Sequence, residues 1–513
     1  MKFAFIADLH LSDTLNTPQE EAFDWAIEKI EKISPDACVV LGDVTACGSL
    51  DAALRFCQKI NKLSCPALTV PGNSDLRNKD SAKILDKLLL SHPEGLRCGK
   101  VHIVGINTAQ DKISEEERAR LSAIDVGDNI ILCSHQPKEY LDQGSLKFLE
   151  NWINELAQKG KKTLFWANGH SHIYIKKDFH GTPTVTLRAL DLDKCVGGSA
   201  QILIYEFDEE KSNFESVDYS RGLHTAWTQA ERDEFIDFLG ITCYNNTKTE
   251  RDLPFAIENG VRHLEMREIA DSDIPLIQKW RQSGGKTLSL HFPALSFDGG
   301  VVGLEKFKSF AKAAVVAEVD MVTVHPPQIA NETILNDDKM FDTLVGAMAE
   351  ALSPVAKANI DILVENNHTD RGTPNNTMKC AYGCTPFDII AWRDALCLRL
   401  GKNTCNLRFD VGHARNNMPL SQDYPIGKWY ALIGGDAHAY HIHQTTVDSK
   451  DRHMKNHFPI TGIHDGLVSF DGFLWAWHAK VLNHAPIILE IREGEGAPAT
   501  YQRLKNIINS KVE

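Results

Sequence analysis

Residues 1–11 read MKFAFIADLHL. An apolar run passes straight into Asp8-Leu9-His10, two metal-type side chains one residue apart where a buried strand should stop. The pattern recurs four times before residue 173. ACVVLGD ends on Gly42-Asp43, and ALTVPG leads into Gly72-Asn73-Ser74-Asp75. NIILCSH ends on His135, and TLFWANGH leads into Gly169-His170-Ser171-His172. KVHIVGINT, TPTVTLRAL and SAQILIYEF read as further strands, with amphipathic stretches between. Such alternation predicts a layered α/β sandwich whose polar strand ends gather into a site.

Segment 208–220 (DEEKSNFESVDYS) is charged and has no apolar rhythm. One domain is therefore expected over 1–212 and a linker over 213–232. Eight further strands then follow: GITCYN, RHLEMRE, TLSLHFP, MVTVHPP, DILVENN, NLRFDVGHA, AYHIHQT and PIILEIREG. Helical stretches such as GLEKFKSFAKAAVVAE and DTLVGAMAEALSPVAKA lie between them. Eight strand–helix units predict a (β/α)8 TIM barrel over 233–513, with its catalytic face at the C-terminal ends of the strands. His291, His325, Glu365, Asp410, His413, His441 and Glu490 fall at those ends on strands three to eight, and Asp451 and His453 follow the seventh in a loop.

The 513 residues, 43% hydrophobic, exceed what one core ordinarily organises. No apolar stretch is long enough to span a membrane, and the opening strand does not resemble a secretory signal. Twelve irregularly spaced cysteines fit a reducing cytoplasm. The net charge is -14. Residues 1–220 hold 25 Lys and Arg against 33 Asp and Glu, and residues 221–513 hold 30 against 36. Neither half has the excess of cations that gripping a nucleic-acid polymer requires. A small phosphorylated substrate is the expected partner; the sequence leaves the oligomeric state open.

Two cations held close together need a bridging carboxylate and N/O ligands from several strand ends. Neighbouring glycines let the backbone turn tightly behind the candidate ligands. On Asp8-x-His10, Gly42-Asp43, Gly72-Asn73, His135 and His170-x-His172, the first 205 or so residues resemble the calcineurin-like metallophosphoesterases. That resemblance implies a catalytic dinuclear centre of Mn or Fe/Zn. Asp8, His10 and His172 would hold one cation, Asn73, His135 and His170 the other, and Asp43 both. The family usually has His after the Asn, where it helps protonate the leaving group; here the residue is Ser74.

In the second set, carboxylates and imidazoles from converging strands suit Zn or Mn. Glu365 and Glu490 can bridge metals or act as an acid–base pair. Residues 236–495 resemble the xylose-isomerase-like barrels, which include the endonuclease IV type and the sugar epimerases. Both branches imply a four-ligand core of Glu365, Asp410, His441 and Glu490. The endonuclease IV type adds ligands matching His291, His325, His413, Asp451 and His453, which favours three metals over one. His438, His443, His457 and His464 are expected only to hydrogen-bond or to be exposed.

The expected activity is a bifunctional metal-dependent phosphohydrolase that opens a small, linear or cyclic phosphodiester and clears the derived monoester. The alternative is a phosphatase fused to a sugar or sugar-phosphate isomerase or epimerase. A barrel acting at abasic sites in DNA ranks third, because the chain is acidic.

Overall fold

The structure, a computed structural model, describes residues 1–221, 226–369, 381–401, 405–417, 420–447, 454–492 and 494–510. Two compact units divide it: Met1–Gly222 with Ser469–Gly472, and Leu223–Val468 with Phe473–Glu513. Among the described residues, no helix is long and apolar enough to cross a membrane.

The strands of the first unit are β1 (Lys2–Ile6), β2 (Ala37–Leu41), β3 (Ala67–Val70), β4 (Leu96–Cys98), β5 (Val101–Ile106), β6 (Asn129–Ser134), β7 (Lys162–Asn168), β8 (Ile175–Phe179), β9 (Thr182–Thr186), β10 (Gln201–Glu206) and β11 (Asn213–Asp218). They form two sheets, ordered β11-β10-β1-β2-β3 and β4-β5-β6-β7-β9-β8. Phe3, Phe5, Val39, Leu68 and Leu203 of one sheet and Ile103, Ile131, Phe165 and Val185 of the other share one buried cluster. Each large side chain removed from water contributes about 1.5–3 kcal/mol. The outer face of the second sheet, with Val104, Leu132 and Trp166, is covered by Leu121, Leu149, Trp152 and Leu156. Those residues lie on the helices Glu115–Ala123 and Gln143–Gln158. Ser114 and Asp142 start these helices, each accepting the backbone N–H three residues on.

Both sheets present the C-terminal ends of β1, β2, β6 and β7 on the same side, where Asp8, Asp43, His135 and His170 follow. Residues 213–218, expected within the linker, instead form β11, which pairs antiparallel with β10. Its side chains are mostly exposed. An edge strand of this kind needs no buried face, so its sequence has no apolar alternation.

The second unit holds β12 (Leu239–Cys243), β13 (His263–Met266), β14 (Thr287–His291), β15 (Ser296–Phe297), β16 (Val301–Val302), β17 (Met321–Val324), β18 (Asp361–Glu365), β19 (Cys405–Asp410), β20 (Ala437–Ile442), β21 (Gln444–Val447), β22 (Met454–Phe458) and β23 (Ile487–Leu489). β12, β13, β14, β17, β18, β19, β20 and β23 close a parallel barrel. β23 completes the ring by pairing with both β12 and β20. The two additional hairpins, β15–β16 and β21–β22, follow β14 and β20 on the catalytic side. Helices such as Pro386–Leu400, begun by a capping box of Thr385 and Asp388 with Pro386 in the first turn, connect the strands.

The barrel positions its polar residues by strand length. His291, Glu365 and Asp410 are the last residues of β14, β18 and β19; His325 and Glu490 directly follow β17 and β23. Asp410 and His441 are register partners across β19 and β20.

Candidate metal centres

In the first unit, Asp8, His10 and His172 bring ligand atoms within 4.8 Å of one another, as do Asp8, Asp43 and His135. His10 Nε2 lies 3.2 Å from Asp43 Oδ2, and His172 Nε2 lies 3.5 Å from Asp8 Oδ1. Asp8 is anchored by the backbone N–H of His170, at 2.9 and 3.1 Å from its two oxygens. Asp43 accepts the Ser74 N–H at 2.8 Å.

The decisive geometry is at His135. Its Nδ1–H donates to the Leu41 carbonyl at 2.8 Å. Nε2 is then an unprotonated nitrogen. It faces Asn73 Oδ1 at 3.1 Å, His170 Nδ1 at 3.2 Å and Asp43 Oδ1 at 3.4 Å. A lone pair that faces two oxygens and a second imidazole nitrogen is satisfied by a cation or by a proton on one of the nitrogens. Without a cation the ring takes the proton. Burial opposes its charge, but Asp43 and Asp8 outweigh burial and raise the group to about 10. The donor set therefore fits a bound divalent metal.

The backbone is bent to reach this arrangement. Asp8, His10, Asp43, His170 and His172 all take left-handed conformations, with φ between 46° and 70°. Such backbones cost roughly 1–3 kcal/mol each and persist where the surroundings enforce them. Gly72 belongs to the same device: a Cβ there would sit 2.2 Å from Asp43 N and Oδ1. Asp75 ties the loops together, accepting N–H groups from Gly72 and Thr45 at 2.9 and 2.8 Å.

Ser74 is buried, and its hydroxyl donates to the Thr45 carbonyl at 2.7 Å. It is thus committed to the loop. Asp191 was not anticipated from sequence. Its Oδ2 lies 3.1 Å from His10 Nδ1, so it orients the ring toward Asp43. Its sequence, ALDLD, offers no signal of that role.

The barrel brings together His291, Glu365, His441 and Glu490 in one group, Glu365, Asp410 and His413 in a second, and His413, His443 and His457 in a third. His441 Nδ1 lies 2.9 Å from Glu365 Oε1 and 3.2 Å from Glu490 Oε2. Among the described residues, Glu365 Oε2 and Glu490 Oε2 are buried without a hydrogen bond. His291 donates Nδ1–H to the Phe292 carbonyl at 2.9 Å, and His413 donates to that of Asn366 at 3.0 Å. The Nε2 atom of each is thereby turned inward: that of His291 lies 3.2 Å from Glu365, and that of His413 is buried with no partner among the described residues. Fixed tautomers and orphaned donors fit a bound cation here too. His325 stands beside the first group, its Nε2 3.6 Å from Glu365 Oε2, and burial pushes it down to about 3. Asp451 and His453 lie outside the described residues.

His443 and His457, expected to hydrogen-bond or to be exposed, do hydrogen-bond: His443 Nε2 lies 3.2 Å from Asp410 Oδ2, and His443 Nδ1 accepts the His457 N–H at 3.0 Å. Both are buried beside His413. His457 donates Nδ1–H to the Glu490 carbonyl at 3.2 Å, as His291 and His413 do to theirs. His443 had a readable signal. It stands two residues after His441, and period-two alternation puts both rings on one side of an extended chain. His457 had none.

Beneath the barrel group, Glu265 Oε1 lies 3.0 Å from His441 Nε2, and its other oxygen pairs with the fully buried Arg408. Glu265 thus turns His441 Nδ1 toward the cluster. Glu265→Gln is expected to weaken metal binding in the barrel by roughly 10–100-fold. It should also lower stability by about 3–5 kcal/mol, because Arg408 loses its counter-charge. Chelator competition and denaturant unfolding measure the two effects; unchanged metal affinity would remove Glu265 from the centre.

Residues 1–198 match the calcineurin-like phosphoesterase family. The chain is 26% identical over 197 residues to a probable cyclic nucleotide phosphodiesterase of Pseudoalteromonas sp. (strain SM9913), covering 35% of this chain and 74% of that protein. It is also similar to a dimetal phosphatase from Danio rerio (13% identity, 42% of this chain and 96% of that one, TM-score 0.34). A further similar structure is a D-tagatose 3-epimerase-like protein (17% identity, 53% and 96%, TM-score 0.36). Another is a xylose isomerase domain protein from Planctomyces limnophilus (10% identity, 53% and 93%, TM-score 0.34). With the family match and the geometry at Asp43 and His135, the N-terminal unit is a calcineurin-like metallophosphoesterase domain joined to a closed (β/α)8 barrel, and the protein is a metal-dependent phosphoesterase.

Proposed function

We propose that the protein is a two-centre phosphohydrolase of small molecules. The N-terminal centre opens a linear or cyclic phosphodiester, and the barrel releases phosphate from the resulting monoester. The observation that carries the reading is His135 Nε2, which faces Asn73 Oδ1, Asp43 Oδ1 and His170 Nδ1 from three different loops. The phosphodiesterase to which the first unit is similar supports a small diester as its substrate. In this reading, Asp8, His10 and His172 hold one cation, Asn73, His135 and His170 the other, and Asp43 both, with Mn or Fe/Zn as the metals. In the barrel, the three overlapping donor groups support three positions for Zn or Mn rather than one. Bound metals would polarise the phosphoryl group and activate water at neutral pH.

The surrounding residues do the rest. The loop tied by Asp75 orients Asn73 and Asp43, and the His170 amide holds Asp8. Ser74 offers no proton to a departing oxygen. Diesters with acidic leaving groups should therefore be cleaved at least about tenfold faster than alkyl ones. Equal rates for aryl and alkyl diesters would contradict this account.

The second reading, a barrel that isomerises a sugar, is favoured by one observation. Glu365 and Glu490 converge on a single nitrogen of His441, as an acid–base pair around one metal would. Product analysis separates the two. The metal-loaded full chain should convert an aryl diester to alcohol and inorganic phosphate. Asp43→Asn should stop at the diester, and Glu365→Gln should accumulate the monoester. No monoester build-up, together with sugar isomerisation by the parent, would select the isomerase.

A further inference from the structure

We propose that Arg267 and Arg492 form an anion subsite at the barrel mouth, which holds the phosphate of a small molecule against the edge of the donor cluster, with its uncharged part extending away from the arginines. The inference deepens the barrel half of the proposed function and rests on it.

Arg267 directly follows β13, and Arg492 lies just beyond β23. Arg267 Nη1 donates to Glu490 Oε1 at 2.8 Å, and Arg492 Nη2 donates to the same oxygen at 3.1 Å. Tyr244, which follows β12, sits between them. Its hydroxyl accepts from Arg492 Nε at 3.4 Å, and the Arg267 guanidinium stands 6.0 Å from its ring centre. The other oxygen of Glu490 turns toward His441.

Two guanidinium groups thus share one carboxylate oxygen. One would fix Glu490, so the second offers N–H donors beyond what that carboxylate needs. A guanidinium carries five N–H donors in a planar fork. Among the described residues, Arg267 uses one nitrogen and Arg492 two. The side chains are 21% and 45% exposed, so an incoming molecule can reach the remaining donors. A positively charged fork with free donors matches the oxygens of a phosphate monoester.

The opposite flank is different. A cavity of about 200 Å³ is lined by Ser296, Gln328 and His368, and among the described residues its lining has no Lys, Arg, Asp or Glu. These residues follow β14, β17 and β18, whereas Arg492, Tyr244 and Arg267 follow β23, β12 and β13. The mouth is therefore polarised around the ring, with the donor group of His291, Glu365, His441 and Glu490 between its flanks. A molecule held there would place its phosphate between the arginines and the donor group and its hydroxyl groups toward that cavity. A phosphorylated polyol or sugar has that form.

The test uses the full-length, metal-loaded protein in an Asp43→Asn background, so that phosphate binding is read mainly at the barrel. Inorganic phosphate and D-ribose 5-phosphate are titrated by calorimetry, with D-ribose as the uncharged control. Arg267→Gln and Arg492→Gln should each weaken both phosphate probes by roughly tenfold or more. Ribose should be unaffected, and elemental analysis should show the barrel metals retained. Arg267→Lys and Arg492→Lys keep a charge on Glu490 but lose the fork, so they too should keep metal while binding phosphate less well. Unchanged phosphate affinity in the Gln variants overturns the subsite. Loss of the barrel metals in the Lys variants also overturns it, because the arginines would then act only through Glu490. A metal-free barrel that still binds phosphate through both arginines would sink the hydrolase reading and uphold the subsite.

Discussion

Asp43→Asn is expected to lower aryl phosphodiester hydrolysis by roughly a thousandfold or more, while leaving the fold intact. The size of the effect follows from position. Asp43 faces both histidine groups: Oδ2 toward His10 at 3.2 Å and Oδ1 toward His135 at 3.4 Å. Removing its charge would weaken both cation positions together. The fold should survive because asparagine keeps an oxygen for the Ser74 N–H, which Asp43 now accepts at 2.8 Å. Elemental analysis should show both metals of the N-terminal centre depleted, with the thermal midpoint of the metal-free protein little changed. Retained diesterase activity in a properly folded variant would refute the bridging role. His170→Ala is the informative contrast, since it removes one ligand from one position and should cost less.

Much of this was readable in the chain. The strands that end in Asp8, Asp43, His135 and His170 have strong apolar runs, and each is followed by a ligand type that is costly to leave at a strand end without a purpose. The barrel strands were equally legible, because β14, β18 and β19 end on His291, Glu365 and Asp410 themselves. What was not legible depends on tertiary approach. Asp191 reaches His10 across 181 positions of sequence, and Glu265 meets His441 from the second strand of the barrel to the seventh. Neither has a local pattern, because orienting a ligand requires only a carboxylate in the right place. β11 was missed for another reason: an edge strand with exposed side chains carries no hydrophobic period. The closeness of His457 to His413 was not legible, because its place is set by the β21–β22 hairpin, whose return path is not encoded in any spacing to His413.

The largest effect in the barrel is expected from Glu365→Gln. Glu365 belongs to two donor groups, one with His291, His441 and Glu490 and one with Asp410 and His413. Its carboxyl is held well below the usual carboxylate range: burial opposes the charge, but His441, His325 and His291 outweigh it. The glutamine variant removes the negative charge that these three imidazoles share. Two positions should therefore lose affinity together, and the barrel's metal content should fall by about two equivalents if three are bound in the parent. His413→Ala should act differently. His413 belongs to the second and third groups, so the group of His291, His441 and Glu490 should keep its metal. Elemental analysis of the two variants therefore maps the connectivity of the centre. Monoester hydrolysis should fall by at least about a hundredfold in Glu365→Gln. If Glu365→Gln lost only one equivalent and His413→Ala none, the barrel would hold a single metal, and the isomerase reading would take precedence over hydrolysis.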